Sequence, residues 1–347
     1  MGIIKKLAIC GVIGLLSLSM VACGNEDTNT TDETVQTAAE GTLSAEDIKE
    51  DTPIAKVGDN EIVAATLSRQ LEYQKMYIAM SYGEEFLTTE NGKTYMNEMK
   101  NYIMDSLINT EIAKIKAEEL KLIPKDEDVQ TMYDEQKANF ETEEEFQAAL
   151  EESNMTEEEL KEEVKTALIT QNISEYMIKD VAVTDEEVEE YYKDNIAQYT
   201  TKPGATISHI ILATEEEAKQ VKAEYDGGAS FADLAAKHNT DSTAATGGSL
   251  GYIEYDTQSY DQDFMAAAKE LGEGEVSEPT KTQFGWHIIK AENIQKEDVV
   301  AEFETVKENA SSALLSQKQN EVINTQLESW KEEIGFETYD DVIAAVE

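Results

Sequence analysis

The chain has 347 residues, room for two or more domains, and its 73 acidic against 28 basic side chains leave a net charge of −45 at pH 7. That balance repels phosphate backbones and anionic headgroups, which excludes nucleic acid as a partner and membrane attachment through a basic face. Cys10 and Cys23 are the two cysteines, so with the first residues cleaved as read below no intrachain disulfide, thiol catalyst or thiolate metal site is available.

Lys5 and Lys6 precede an apolar run over 7–20 that is too short to span a bilayer and reads as an export signal. The run ends in Met20-Val21-Ala22-Cys23, which resembles the lipobox of bacterial lipoproteins, with Met20 where Leu is usual. The resemblance implies a signal peptide over 1–22 and a diacylglyceryl group on Cys23, whose two chains hold a membrane firmly; ordinary cleavage nearby and a retained signal anchor are the alternatives. It puts the protein on the extracytoplasmic face of the cell membrane, lipid-anchored, and export without disulfides suits a Gram-positive envelope. The stretch 23–53 has almost no large apolar residue and reads as a disordered acidic tether.

The segment 54–62 predicts a strand, a turn and a second strand. Leu67, Leu71, Met76 and Met80 then fit one helix face, and Tyr95, Met99, Ile103, Leu107, Ile112, Ile115 and Leu120 a longer helix ended by Pro124. Further helices are expected over 126–139, 143–152 and 156–180, and Thr184 with Glu187 has the form of a capping box opening another through Val188, Tyr191, Tyr192 and Ile196. Residues 126–200 hold 24 acids against 5 lysines, which is either a set of solvated helix faces or an acidic client-docking surface. Pro203-Gly204 marks a domain boundary. Over 206–292 short β-branched runs flank helices, the sign of a small α/β or α+β unit, and helical periodicity returns after Lys296 through Val299, Phe303, Leu314 and Leu327 to Trp330.

Several motifs of 206–292 fall in a familiar order: Ile207-Ser208-His209-Ile210-Ile211-Leu212, Phe231-Ala232-Asp233-Leu234-Ala235, Gly247-Gly248-Ser249-Leu250-Gly251, and Gln283-Phe284-Gly285-Trp286-His287-Ile288-Ile289-Lys290. They resemble parvulin-type peptidyl-prolyl isomerases. The resemblance implies His209, Asp241 and His287 as the catalytic set, with the histidines paired on adjacent strands and Asp241 near the substrate carbonyl. It implies Leu250, Tyr260, Phe264, Thr282 and Phe284 as the substrate-binding set. Read as residues alone, the two imidazoles can equally support the sheet by bonding each other, and Asp241 can equally be a turn acid. Asn239 stands where Ser or Thr is usual, Tyr260 where Met is typical, and the segment 254–263 is slightly longer than the commonest form. The reaction needs no nucleophile and no cofactor. The amide barrier of ~18–20 kcal/mol comes from resonance, and a site has only to bind the twisted amide better than the planar one. His238 is expected at the surface. The three histidines lack the spacing of a metal site, and no Gly-x-Ser-x-Gly elbow exists.

A parvulin module inside helical sequence behind a lipobox resembles the PrsA-type foldase lipoproteins, and 54–62 resembles the opening of the region they share with the chaperone SurA. The fold expected is therefore α+β, a parvulin-like antiparallel sheet surrounded by helices over 203–294, inserted in a mainly helical, SurA-like chaperone domain of 54–202 and 295–347. The implied partners are unfolded or newly secreted proteins with X-Pro bonds, and the membrane through Cys23. A homodimer through the helical region fits the pattern, although no heptad run demands it.

Overall fold

A computed structural model describes residues 48–153 and 155–346, so the expected signal, Cys23 and most of the tether lie outside the described residues. Strands β1 (Pro53–Val57) and β2 (Asn60–Val63) form the expected hairpin, followed by helices α1 (Ala64–Tyr82), α2 (Glu90–Leu120), α3 (Asp126–Lys137), α4 (Glu143–Glu152) and α5 (Glu157–Ile178). Next come α6 (Asp185–Asp194), β3 (Thr200–Thr201), β4 (Gly204–Leu212), α7 (Glu215–Asp226), α8 (Phe231–His238), β5 (Ser249–Glu254) and α9 (Gln262–Glu270). The chain closes with β6 (Thr280–Thr282), β7 (Gly285–Gln295), β8 (Val299–Val300), α10 (Phe303–Ile334), β9 (Phe336–Thr338) and α11 (Asp340–Ala345). The α+β class expected is the class found.

The chain divides into a helical unit, which takes in 48–182 and 315–346 of the described residues, and a sheet unit, 183–314. These boundaries lie outside Pro203 and Lys296 because α6 and the first turns of α10 share a small core of Val188, Ala310 and Leu314. In the helical unit, β1 is the middle strand between β2 and β9, all antiparallel. Its main core joins Leu67 and Leu71 of α1, Ile108 and Ile112 of α2, Ile173 of α5 and Leu327 and Trp330 of α10.

Several expected details differ, each for a local reason. On α1 the buried face is Leu67, Leu71 and Ile78, while Met80 is 51% exposed. Helix α2 ends at Leu120, because Lys121 turns into the left-handed conformation at φ 59° and Leu122 N bonds Ala117 O, before Pro124 is reached. Val299 lies in the β3–β8 ribbon rather than on a helix.

The sheet unit is built on the antiparallel order β5-β4-β7-β6. Side chains alternate across a strand, so its two faces carry separate cores. Ile210, Leu212 and Ile288 pack with Val221 of α7 and Leu234 of α8 on one face, and Ala205, Ile207 and Ile289 pack with Phe264 and Met265 of α9 on the other. By the same alternation His209 and His287 fall on the α9 face.

Candidate active site

His209 and His287 come from neighbouring strands, where Ile211 pairs with His287 and His209 with Ile289. Both are buried, at 7% and 5% exposure, and their rings stack with centroids 5.4 Å apart and 18° between planes. Asp241 reaches His209 because Gly247 and Gly248 turn the chain back onto β4. His209 N donates to Gly248 O at 2.8 Å, and a Cβ on Gly248, at φ +79°, would lie 2.1 Å from His209 O. Only glycine fits so close to that carbonyl.

The polar atoms form one run. Phe284 N donates to Thr282 Oγ1 at 3.1 Å, Thr282 Oγ1 lies 2.9 Å from His287 Nε2, the two Nδ1 atoms are 3.2 Å apart, and His209 Nε2 is 2.9 Å from Asp241 Oδ2. The carboxylate fixes the direction of every proton. Asp241 can only accept, so His209 carries its proton on Nε2 and accepts at Nδ1; His287 therefore carries its own on Nδ1 and accepts the Thr282 hydroxyl proton at Nε2. All four ring nitrogens are used, and neither imidazole has one left for a substrate.

Burial lowers the pKa of His287 to about 4, with His209 adding to the effect and Asp261 and Asp241 opposing it. Burial also lowers that of His209, against the pull of Asp241. Burial would raise the Asp241 carboxyl, but hydrogen bonds from Thr243 and the adjacent His209 hold it below the ordinary range. Both histidines are thus neutral and Asp241 ionised at pH 7, the state the proton run requires.

Asp241 Oδ1 also accepts from Thr243 N at 2.9 Å, Thr243 Oγ1 and Asn239 Nδ2 at 3.0 Å, and Asp241 caps the short turn that begins at Ser242. Asp241 is thus a turn acid by its Oδ1 and a partner of His209 by its Oδ2. Asn239 bonds Ile211 N of β4 through its Oδ1 at 2.9 Å, so it pins the Asp241 loop to the strand. Its amide both donates and accepts, which Ser or Thr would do with a shorter reach.

Beside this run lies an apolar wall. The Phe264 ring stands edge-on to both imidazoles, with centroids 5.9 Å from His209 and 5.2 Å from His287. Tyr260 stacks on Phe264 at 6.0 Å, and Leu250 packs against the same core. Phe284 is different: its ring is 69% exposed and only its backbone N–H joins the network. His238 lies outside the site, with Nε2 3.6 Å from Glu224. Asn239 and Thr243 were not among the residues expected in the site, and the signal for them was the run of short polar side chains around Asp241.

Residues 183–308 match the family model described as PPIC-type PPIASE domain, and residues 4–174 match the SurA-like N-terminal domain. The foldase protein PrsA of Clostridium botulinum strain 657 is 35% identical over 345 residues, covering 97% of this chain and 98% of that protein. The PrsA foldase of Clostridium kluyveri is 31% identical, over 94% and 95% of the two chains. The crystal structure of PrsA from Bacillus subtilis is 28% identical over 72% of this chain and 90% of that one, with a TM-score of 0.27. A match that runs almost end to end at this identity shows that the chain belongs to the PrsA foldase family, and its sheet unit makes it a parvulin-type peptidyl-prolyl cis/trans isomerase.

Proposed function

We propose that the chain isomerises X-Pro bonds of newly exported, unfolded proteins at the outer face of the cell membrane, held there by lipid on Cys23. The observation that carries the catalytic part is the Phe264 ring set edge-on to two hydrogen-bonded imidazoles beside an ionised Asp241. A prolyl ring fits the wall of Leu250, Tyr260 and Phe264, where it is desolvated, with its amide toward Asp241. A planar amide carries more negative charge on its carbonyl oxygen than a twisted one, so a nearby carboxylate disfavours the planar ground state more than the transition state. Each ~1.4 kcal/mol of that difference is worth tenfold in rate. His209 and His287 act here as positioning residues, because their nitrogens are all engaged, and Asp241 fixes their tautomers. The lipid anchor rests on the lipobox resemblance of Met20-Val21-Ala22-Cys23.

The test is proline-limited refolding of a model protein, whose slow phase lasts tens to hundreds of seconds, with the chain from Gly24 onward as catalyst. The chain should shorten that phase, and Asp241→Ala combined with His287→Ala should lose at least tenfold of the effect; a slow phase unchanged by the unaltered chain overturns the reading.

A second reading, a holdase that uses the sheet unit only for recognition, draws on the helical unit. There Tyr77, Met80 and Tyr82 of α1 are 55%, 51% and 70% exposed, the aromatic and thioether surface suited to varied unfolded partners. Full client maturation by the double variant favours this reading over the first.

A further inference from the structure

We propose, building on the isomerase reading above, that Asp241 and Asp261 make this site select prolines flanked by Lys or Arg and reject those flanked by acidic or phosphorylated residues. Asp261 follows the pocket residue Tyr260 and precedes Phe264 by three residues. It caps α9, its Oδ1 accepting from Asp263 N at 3.0 Å and Phe264 N at 3.4 Å. Asp241, 37% exposed, stands at the other end of the hydrogen-bonded run on His209. Asp261 therefore borders the apolar wall at the start of α9 and Asp241 borders the imidazoles, and the negative charge of both is felt at His287.

The nearby lysines are committed elsewhere. Lys281 is next to Thr282 on β6, so its side chain leaves from the opposite face of the sheet, and its amine lies 6.0 Å from the Trp286 ring centroid. Lys269 of α9 lies over the Tyr255 ring at 5.9 Å, and Lys237 pairs with Glu224 at 3.1 Å. A bound peptide passing over Phe264 thus meets two negative charges on its flanks. In a half-buried setting, where charges interact several times more strongly than in water, that separates Lys from Glu.

The experiment uses the chain from Gly24 onward and three peptides with Lys-Pro-Lys, Leu-Pro-Leu or Glu-Pro-Glu at the centre, read for kcat/KM of isomerisation and for Kd at low ionic strength. The expected order is Lys, Leu, Glu, with on the order of tenfold between the ends, shrinking severalfold in 1 M salt, where the screening length is about 3 Å. Asp261→Asn and Asp261→Ser remove the charge but keep an N-cap acceptor, so either should cut the Lys-to-Glu ratio by about threefold. Glu216→Gln, on α7 at the other face of the sheet, should leave the ratio unchanged. Equal values for the Lys and Glu peptides overturn the proposal. So does a ratio that falls as much in Glu216→Gln as in the Asp261 variants, since that would be the general field of an acidic chain. If no peptide is turned over, the isomerase reading fails and Kd decides the charge selection alone: tighter Lys-Pro-Lys supports it and equal affinities overturn it.

Discussion

In the sheet unit the buried side chains His209, Thr282 and His287 are joined in a single run whose every proton is assigned by one ionised carboxylate. In the helical unit charge is handled by separate ion pairs. Lys116, 4% exposed, is met by Glu119 at 2.8 Å and Glu333 at 2.7 Å, and Arg69, the chain's single arginine, holds Glu163 at 3.0 Å. Arg69 and Glu163 lie in a groove of about 700 Å³ lined mainly by β2, α1, α2 and α5 and by seven glutamates. A run fails as a whole when one member changes charge, whereas pairs fail singly. The two units should therefore answer differently to the same perturbation. Trp286 in one and Trp330 in the other let fluorescence of Trp330→Phe and Trp286→Phe chains follow each unit by itself.

Phe146 is fully buried between Tyr133 and Phe140 in a satellite core of the helical unit. Phe146→Ala should cost about 4 kcal/mol in denaturant unfolding followed at Trp330. A similar loss at Trp286 would erase the distinction between the units. Gly248→Ala should cost the sheet unit about 3 kcal/mol, since the added methyl meets His209 O and the backbone has positive φ. The loss should appear at Trp286.

Acid sharpens the contrast at two groups, His287 and Glu163, whose signs differ. His287 has a folded pKa of about 4 against 6.5 when unfolded. The unfolded chain thus binds more protons between those values, and the sheet unit should lose about 2 kcal/mol as pH falls from 6.5 to 4. Stability flat over that window at Trp286 would contradict the neutral pair. Glu163 runs the other way: burial raises its pKa, opposed by Arg69. Arg69→Gln should cost the helical unit about 1 kcal/mol at neutral pH, because Glu163 then stays charged without its partner. That cost should fade as pH drops and Glu163 takes up a proton, and a cost that grows in acid would refute the pairing.

What could be read from the sequence was what is local. The box expected at Thr184 with Glu187 is formed, and it needs only four consecutive residues. The order of motifs in 206–292 was legible for the same reason. Exposure of Met80 was not, since which face of α1 is covered depends on α2 and on strands beyond it. Strand β9 had no sequence signal of its own, because three residues become a strand only when β1 supplies the partner. That the two histidines and Asp241 belong together was legible, and the structure brings them into contact, but the direction of the protons was not. It follows from Thr282 accepting the Phe284 N–H and from a carboxylate that only accepts, both matters of geometry.

The middle place of β1 between β2 and β9 has a consequence in time. A polypeptide made N-terminus first delivers β1 some 280 residues before β9 pairs Val57 with Phe336. The contiguous sheet unit, 183–314, emerges entire while the helical unit still lacks a strand and the Trp330 side of its core. This foldase must therefore leave its own first segment unfinished, with one strand edge open, until its last residues arrive.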